Sequence, residues 1–145
     1  GRGMAAALAL GAQGVWMGTR FAASREAHLA ESYKKRVTEI GEDQTVVTRC
    51  YSGKPMRVIR NAYVDDWERR PDEIQPFPNQ ALVSIRGGVF SFMQPELTED
   101  VDPDRDCIPC GQGAGAVRDI PTCAEIIDRV VGEARETIQK LAELL

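Results

Sequence analysis

Gly18 and Thr19 form the clearest candidate site, a Gly-Thr pair that directly follows an apolar run at residues 14–17. Glycine has no Cβ, so the backbone at Gly18 can approach a bound anion closely. Backbone amides at a helix start and the Thr19 hydroxyl are donors that suit a phosphate group. The sequence therefore predicts a phosphate cradle, which is formed by an Ala-rich helix, a Gly turn, an apolar strand and a Gly-Thr loop in that order. The alternative is an ordinary strand-to-helix turn in which glycine serves only steric needs.

A second Gly-rich segment at residues 111–115 reads Gly-Gln-Gly-Ala-Gly and suits close approach of the backbone to a ligand. Gln112 could hydrogen-bond a polar group of that ligand. Because no clear strand precedes it, the segment is not a dinucleotide-binding fingerprint. A Gly-rich turn in front of the last helix explains the same composition.

The cysteines give weaker evidence for a functional site. Cys107 and Cys110 form a CxxC, which alone is half of a zinc site or a redox pair. A zinc site needs two further ligands, and His28 is the only histidine, placed by its polar neighbours on a surface helix. Cys50 and Cys123 are isolated in sequence. We therefore expect incidental thiols in a cytosolic protein and no metal site.

Charge and hydropathy limit the classes of partner. The 145 residues carry a net charge of −4, whereas a nucleic-acid-binding face would be basic. No apolar run reaches the ~18 residues that a membrane-spanning helix requires. We expect neither a nucleic-acid nor a membrane partner, and a cytoplasmic location.

The elements that position these residues follow from periodicity and capping. We predict a helix over residues 2–10 that Gly11 ends, and a strand over residues 14–18. Ser24 is a suitable N-cap for an amphipathic helix reaching residue 40. The remaining predictions are a strand at 45–51, short helices within 65–70 and 80–85, and an acidic solvated loop at 98–106.

The last helix has the strongest local signal. Thr122-Cys-Ala-Glu125 is a capping box, and Pro121 precedes it. Apolar residues then recur at helical spacing and form one face: Ile126, Ile127, Val130, Val131, Ala134, Ile138, Leu141 and Leu145. We expect this face to pack against the rest of the fold.

Three segments in order resemble the nitronate monooxygenase family, formerly called 2-nitropropane dioxygenases. They are residues 1–21, GRGMAAALALGAQGVWMGTRF; residues 49–61, RCYSGKPMRVIRN; and residues 110–116, CGQGAGA. The related flavin-dependent enoyl-acyl-carrier-protein reductases share the first segment. The resemblance implies an α/β fold, the C-terminal part of a TIM barrel with an irregular cap. The first six or so strands of that barrel would lie upstream.

The resemblance also implies a division of the chain and a set of contacts. Residues 1–48 would be the last βα units, 49–106 the covering segment, and 107–145 the Gly-rich loop and closing helix. FMN would be the cofactor, held by Trp16, Met17, Gly18 and Thr19. Gly111 and Gln112 would lie near the flavin and substrate cavity. The catalytic residue stays unknown, because the family's histidine motif has no match in this chain.

The implied reaction is oxidation of an alkyl nitronate by O₂. Arg60 is a candidate contact for the anionic substrate or, as arginines more often are, a structural ion-pair partner. The alternatives are NAD(P)H-dependent reduction of enoyl thioesters or quinones on the same scaffold, or a non-catalytic fragment that packs on a partner chain. Fold and an FMN loop cannot separate the first two activities.

Overall fold

The computed structural model describes residues 1–91 and 102–144 as a set of helices around one hairpin. The helices are α1 (Arg2–Ala9), α2 (Thr19–Ala22), α3 (Glu31–Glu39), α4 (Ala62–Glu68), α5 (Asn79–Arg86) and α6 (Cys123–Ala142). The strands are β1 (Thr45–Thr48) and β2 (Met56–Ile59), and short 3-10 helices cover Pro71–Glu73 and Gln112–Ala116.

The hairpin joins β1 and β2 in antiparallel register, with Thr45 opposite Ile59 and Thr48 opposite Met56. Its turn contains Gly53 at φ +81°, where a Cβ would lie 2.4 Å from the backbone nitrogen of Phe77. A side chain at Gly53 would therefore be strained and would also clash. The predicted strand at 45–51 is confirmed for its first four residues, whereas β2 was not predicted.

Two apolar clusters flank the hairpin. One joins α3 to the C-terminal Gly-rich loop through Tyr33, Val37, Ile40, Ile108 and Ala114, with others. The second, made of Cys50, Tyr51, Val58, Val64, Val89 and Cys107, lies under α4. The apolar residues at positions 27, 30, 33, 37 and 40 recur at helical spacing and predict one buried face; the last four are confirmed as core, whereas Ala27 is only partly buried and precedes the helix.

Two predicted elements around the candidate site are wrong. The predicted strand at residues 14–18 is absent, since none of the described residues pairs with this segment and an unpaired strand leaves its backbone groups unsatisfied. The helix does not begin at Ser24 but at Glu31, so His28 lies in an irregular segment. Ser24 is instead buried beside Cys123, whose Sγ lies 3.5 Å from the Ser24 hydroxyl.

Tertiary contacts explain this late helix start. The amide of Arg25 donates to the Pro121 carbonyl at 2.9 Å. The Glu26 carboxylate accepts from the Cys123 amide at 2.9 Å, and this bond lowers the pKa of Glu26. The Arg25 amide and the Glu26 carboxylate therefore attach this irregular segment to the start of α6.

The capping box of α6 is confirmed: the Glu125 amide donates to Thr122 Oγ1, and the Thr122 amide donates to Glu125 Oε2 at 2.7 Å. α6 packs on α1, with Ala134 buried. Much of the predicted apolar face is exposed: Ile127 52%, Val131 40%, Ile138 47% and Leu141 54%. Leu145 and residues 98–101 of the predicted acidic loop lie outside the described residues; residues 102–105 of that loop are exposed as predicted, whereas Asp106 is buried. Within the described residues, no helix combines the length and apolarity needed to cross a bilayer.

Candidate functional site

A cavity of about 800 Å³ brings the two predicted Gly-rich segments together. Its walls come from the start of α1, residues 16–20, the loop at 111–119 and α6. Gly18, Thr19 and Gly111 all line it. Ligand sites in proteins commonly have volumes of about 300–1,000 Å³, so the cavity has the size of a cofactor site.

Gly18 lies at the cavity wall directly before α2, with φ −88° and ψ −69°. A Cβ placed on Gly18 would have no heavy atom of the described residues within 4 Å. The space beside this glycine is therefore open to a ligand, as a cradle for a bulky anion requires.

Thr19 is joined to the second Gly-rich segment by a hydrogen bond. The Gly111 amide donates to Thr19 Oγ1 at 2.7 Å. A hydroxyl has one proton to donate and two lone pairs. Within the described ranges, no acceptor is recorded for the Thr19 proton, so this proton is available to a ligand in the cavity.

Arg20 is held by other protein groups. Its Nη1 donates to Asp119 Oδ1 at 2.8 Å, and its Nη2 donates to the carbonyls of Asp119 and Ala23 at 2.5 and 3.1 Å. Arg129 Nη1 donates to the other Asp119 oxygen at 2.6 Å. The bonds from Arg129 and Arg20 hold the pKa of Asp119 below its usual range. This bridge ties α2 to α6 at the cavity wall.

The charges around the cavity favour an anion. Four arginines line it, namely Arg2, Arg20, Arg118 and Arg129, against the acidic Asp119 and Glu133. The first turn of α1 also lies at the wall, through Gly1, Arg2 and Gly3. Helix starts carry unpaired amides and partial positive charge. Residue spacing did not indicate that the start of α1 lies at this cavity. The position of Gly1-Arg2-Gly3 at the wall is visible only when its neighbours in the fold are known.

The other residues predicted to contact the flavin or the substrate differ in whether they line the cavity. Trp16 and Met17 both line the cavity, and the Trp16 side chain is 96% exposed. Gln112 is exposed and is not among the residues that line the cavity, although its neighbours Gly111 and Gly113 are. A Gln112 contact with flavin or substrate stays a prediction.

The segment at 57–61 lies in the hairpin and the start of α4. Arg60 Nε donates to Asp65 Oδ1 at 2.7 Å, which is the ion pair named above as the alternative to substrate binding. Asn61 caps α4 by accepting from the Val64 amide at 3.0 Å. Arg57 Nη1 donates to Thr45 Oγ1 at 3.0 Å, across the hairpin. These contacts give the segment a structural role.

All four cysteines are free thiols. Burial raises the pKa of Cys50 to about 11, that of Cys110 to about 11, and that of Cys107 strongly. Raised pKa values keep thiols protonated and unreactive at neutral pH. Among the described residues, no group of three or more His, Cys, Asp or Glu side chains has the arrangement of a metal site.

Comparison with known proteins gives one consistent family. A family model described as nitronate monooxygenase matches residues 1–133. A protein of Staphylococcus saprophyticus named "Probable nitronate monooxygenase" is 31% identical over 97% of this chain and 38% of its own length. An indene-carboxyl-CoA dehydrogenase of Mycobacterium tuberculosis is 30% identical over all of this chain and 50% of its own length. The chain thus spans half or less of these curated relatives.

Solved structures agree with this assignment. FabK of Thermotoga maritima superposes with a TM-score of 0.79 at 34% identity, covering all of this chain and 44% of FabK. A nitroalkane oxidase of Streptomyces ansochromogenes superposes with a TM-score of 0.70 at 24% identity, covering 94% of this chain and 38% of that enzyme, which shows the fold alone. These are TIM-barrel enzymes, and the described residues match an α/β portion of that fold.

Proposed function

The chain belongs to the nitronate monooxygenase family, and on that premise we propose that it is the C-terminal part of an FMN-dependent oxidase of alkyl nitronates. The observation that carries the proposal is the cavity in which Gly18, Thr19 and Gly111 meet beside the start of α1. The family is one of flavin-dependent oxidoreductases, and these residues would form the phosphate end of a flavin site.

The residues present fit a flavin phosphate. Open space beside Gly18, the unused proton of Thr19 and the first amides of α1 offer donors without filling the cavity. The surplus of arginines over acids at the wall favours a dianion. Arg20 contributes by fixing α2, since Asp119 and Ala23 already use its Nη donors.

Bound FMN would accept electrons from the anionic nitronate and pass them to O₂. The described residues of this chain would bind and orient the cofactor. We assign proton transfer to a residue outside this chain, because His28 lies exposed in an irregular segment and does not line the cavity.

The exposed apolar side chains support a longer protein. Trp16 is 96% exposed and Leu10 89% exposed, on the same stretch that leads into the cavity. Side chains of this size are usually covered in a complete fold. We propose that further barrel strands cover them in the full-length enzyme.

A reductase activity is the second candidate. The similarity to FabK and to a dehydrogenase named for a CoA thioester favours acyl thioesters as substrates. The phosphate cradle would serve both reactions equally, so the distinction depends on which compound reduces the flavin.

The cradle itself is tested by Gly18→Val in the full-length protein. The φ of −88° is allowed for valine and a Cβ at this position meets no described atom within 4 Å, so we expect the variant to fold. The side chain would occupy the phosphate position and remove bound flavin. Gly14→Val is the matched control, because its Cβ also meets no described atom within 4 Å and Gly14 does not line the cavity.

The readout is flavin absorbance after purification without added cofactor, with the released flavin identified by chromatography. We expect FMN in the wild type and in G14V, and less than a tenth of that amount in G18V with an unchanged circular dichroism spectrum. Full FMN occupancy in G18V would rule out the assignment of Gly18.

A further inference from the structure

We propose that the backbone amide of Gly111 is a positioning group for the flavin phosphate and acts through the Thr19 hydroxyl. The proposal rests on the function proposed above and concerns a residue that does not itself donate to the cofactor. The Gly111 amide occupies a lone pair of Thr19 Oγ1 at 2.7 Å. This bond restricts rotation of the hydroxyl and directs its proton away from Gly111, towards the bound anion.

The direction of the hydroxyl matters because several arginine donors at this wall are already used by protein acceptors, whereas the buried Nε of Arg20 has no partner among the described residues. The two Nη groups of Arg20 donate to Asp119 and Ala23, and Arg129 donates to Asp119. A hydroxyl can rotate freely between donor and acceptor roles unless a neighbour fixes it. An amide that can only donate forces Thr19 to accept from it, and leaves the O–H for the phosphate.

The position of Gly111 is fixed by the loop that follows it. Gly115 contacts the backbone of Glu42 so closely that a Cβ would lie 2.6 Å from the Glu42 Cα. Arg118 Nη1 donates to the Ile40 carbonyl at 2.7 Å, and Arg20 holds Asp119. The loop is therefore attached to the end of α3 and to α2. The consecutive residues Thr19 and Arg20 thus bond to the two ends of this loop, Gly111 and Asp119.

The test removes the amide proton while keeping the backbone shape. Gly111 has φ −85° and ψ 167°, a backbone conformation open to proline. Gly111→Pro removes the donor and places the ring Cδ where the amide hydrogen pointed at Thr19 Oγ1, so the Thr19 side chain must also move. Gly111→Ala is the matched control: it adds the same Cβ, 3.3 Å from Thr19 Oγ1, and retains the amide. The ratio of the two variants measures the loss of the hydrogen bond together with the displacement of Thr19, and the Thr19 variants described below separate the two effects.

The measured quantities are the Kd values of FMN and of riboflavin for the flavin-free full-length protein, from quenching of flavin fluorescence. Riboflavin lacks the phosphate, so it reports on the rest of the site. We expect the Kd of FMN to be about three- to tenfold higher in G111P than in G111A. The Kd of riboflavin should agree within about twofold between the two.

A double-mutant cycle tests whether the amide acts through Thr19. In a Thr19→Val background the hydroxyl is gone, and G111P and G111A should bind FMN equally. Equal FMN affinities in the wild-type background would overturn the proposal. So would an equal loss of riboflavin and FMN, because it would indicate general damage to the loop.

A second comparison leaves Gly111 unchanged and covers the case in which G111P does not fold. Thr19→Ser keeps the hydroxyl and Thr19→Val removes it. We expect faster hydrogen exchange of the Gly111 amide and a higher FMN Kd in T19V than in T19S. Equal exchange and equal affinity would contradict the proposal. Failure of the wild-type protein to prefer FMN over riboflavin would instead contradict the phosphate cradle itself.

Discussion

Replacing Gly115 by alanine should displace the loop that carries Gly111. A Cβ on Gly115 would lie 2.6 Å from Glu42 Cα, 2.7 Å from Glu42 N and 2.7 Å from the Gly41 carbonyl carbon. All three are backbone atoms, so no rotamer change relieves the clash. Ordinary carbon contacts begin near 3.4 Å, and the two backbones must therefore separate by ~0.8 Å, the difference between 3.4 and 2.6 Å.

The size of the effect follows from the cost of overpacking. Forced insertion of a methyl group into a packed site costs about 1–3 kcal/mol. Because this chain spans half or less of its relatives, the full-length protein has roughly 350 residues, and 1 kcal/mol lowers its Tm by only about 1–2 °C. We expect the Tm of flavin-free, full-length G115A to fall by about 1–6 °C. The Kd of FMN should rise as well, since Gly111 moves with the loop.

Gly113→Ala is the control in the same 3-10 helix, because a Cβ there meets no described atom within 4 Å. Removing the flexibility of a glycine in the unfolded chain should leave G113A as stable as the wild type or slightly more stable. Both variants are compared by differential scanning fluorimetry without flavin. Equal Tm values for G115A and G113A would refute the close contact between the loop and the end of α3.

Two further predictions concern the thiols and the start of α6. Because burial raises the pKa of Cys110 to about 11, its alkylation by iodoacetamide at pH 8 should be about a hundredfold slower than that of an ordinary thiol. The thiolate forms as pH rises, so the rate should increase about tenfold per pH unit beyond pH 9; a plateau near pH 9 would contradict the burial of Cys110. Thr122→Ala removes the cap of α6 and should cost about 1 kcal/mol, whereas Glu125→Gln retains a capping box and should cost less. Urea denaturation measures both, and equal midpoints for the two variants would contradict the role of the Thr122 hydroxyl.

The elements predicted correctly have signals within a few residues. The capping box at Thr122 and Glu125 marks the start of α6, and Gly11, at φ +95°, ends the first helix as predicted. The run of β-branched residues that begins at Thr45 was enough to indicate β1. In the two helices the decisive contact joins residues that are neighbours in sequence, and β1 pairs with the strand that follows it in the chain.

The errors occur where distant groups decide the local structure. Ser24 did not cap a helix, because Pro121 and Cys123 bond to the residues that follow it. Residues 14–17 have strand-like composition, but a strand forms only where a partner satisfies its backbone. No local pattern indicates a bond between Thr19 and Gly111, which are 92 residues apart, or the pairing of Arg20 with Asp119. Local patterns thus indicated two separate Gly-rich segments, and only the family resemblance implied that both lie near one flavin.

The most direct test of the proposed function is anaerobic reduction of the flavin in the full-length protein. Propionate 3-nitronate and NADH are added separately, and the flavin absorbance band is followed. Bleaching by the nitronate, with none by NADH, is the result that nitronate oxidation predicts. Bleaching by NADH alone would contradict it in favour of a reductase, and a protein without flavin would contradict the cradle at Gly18 and Thr19.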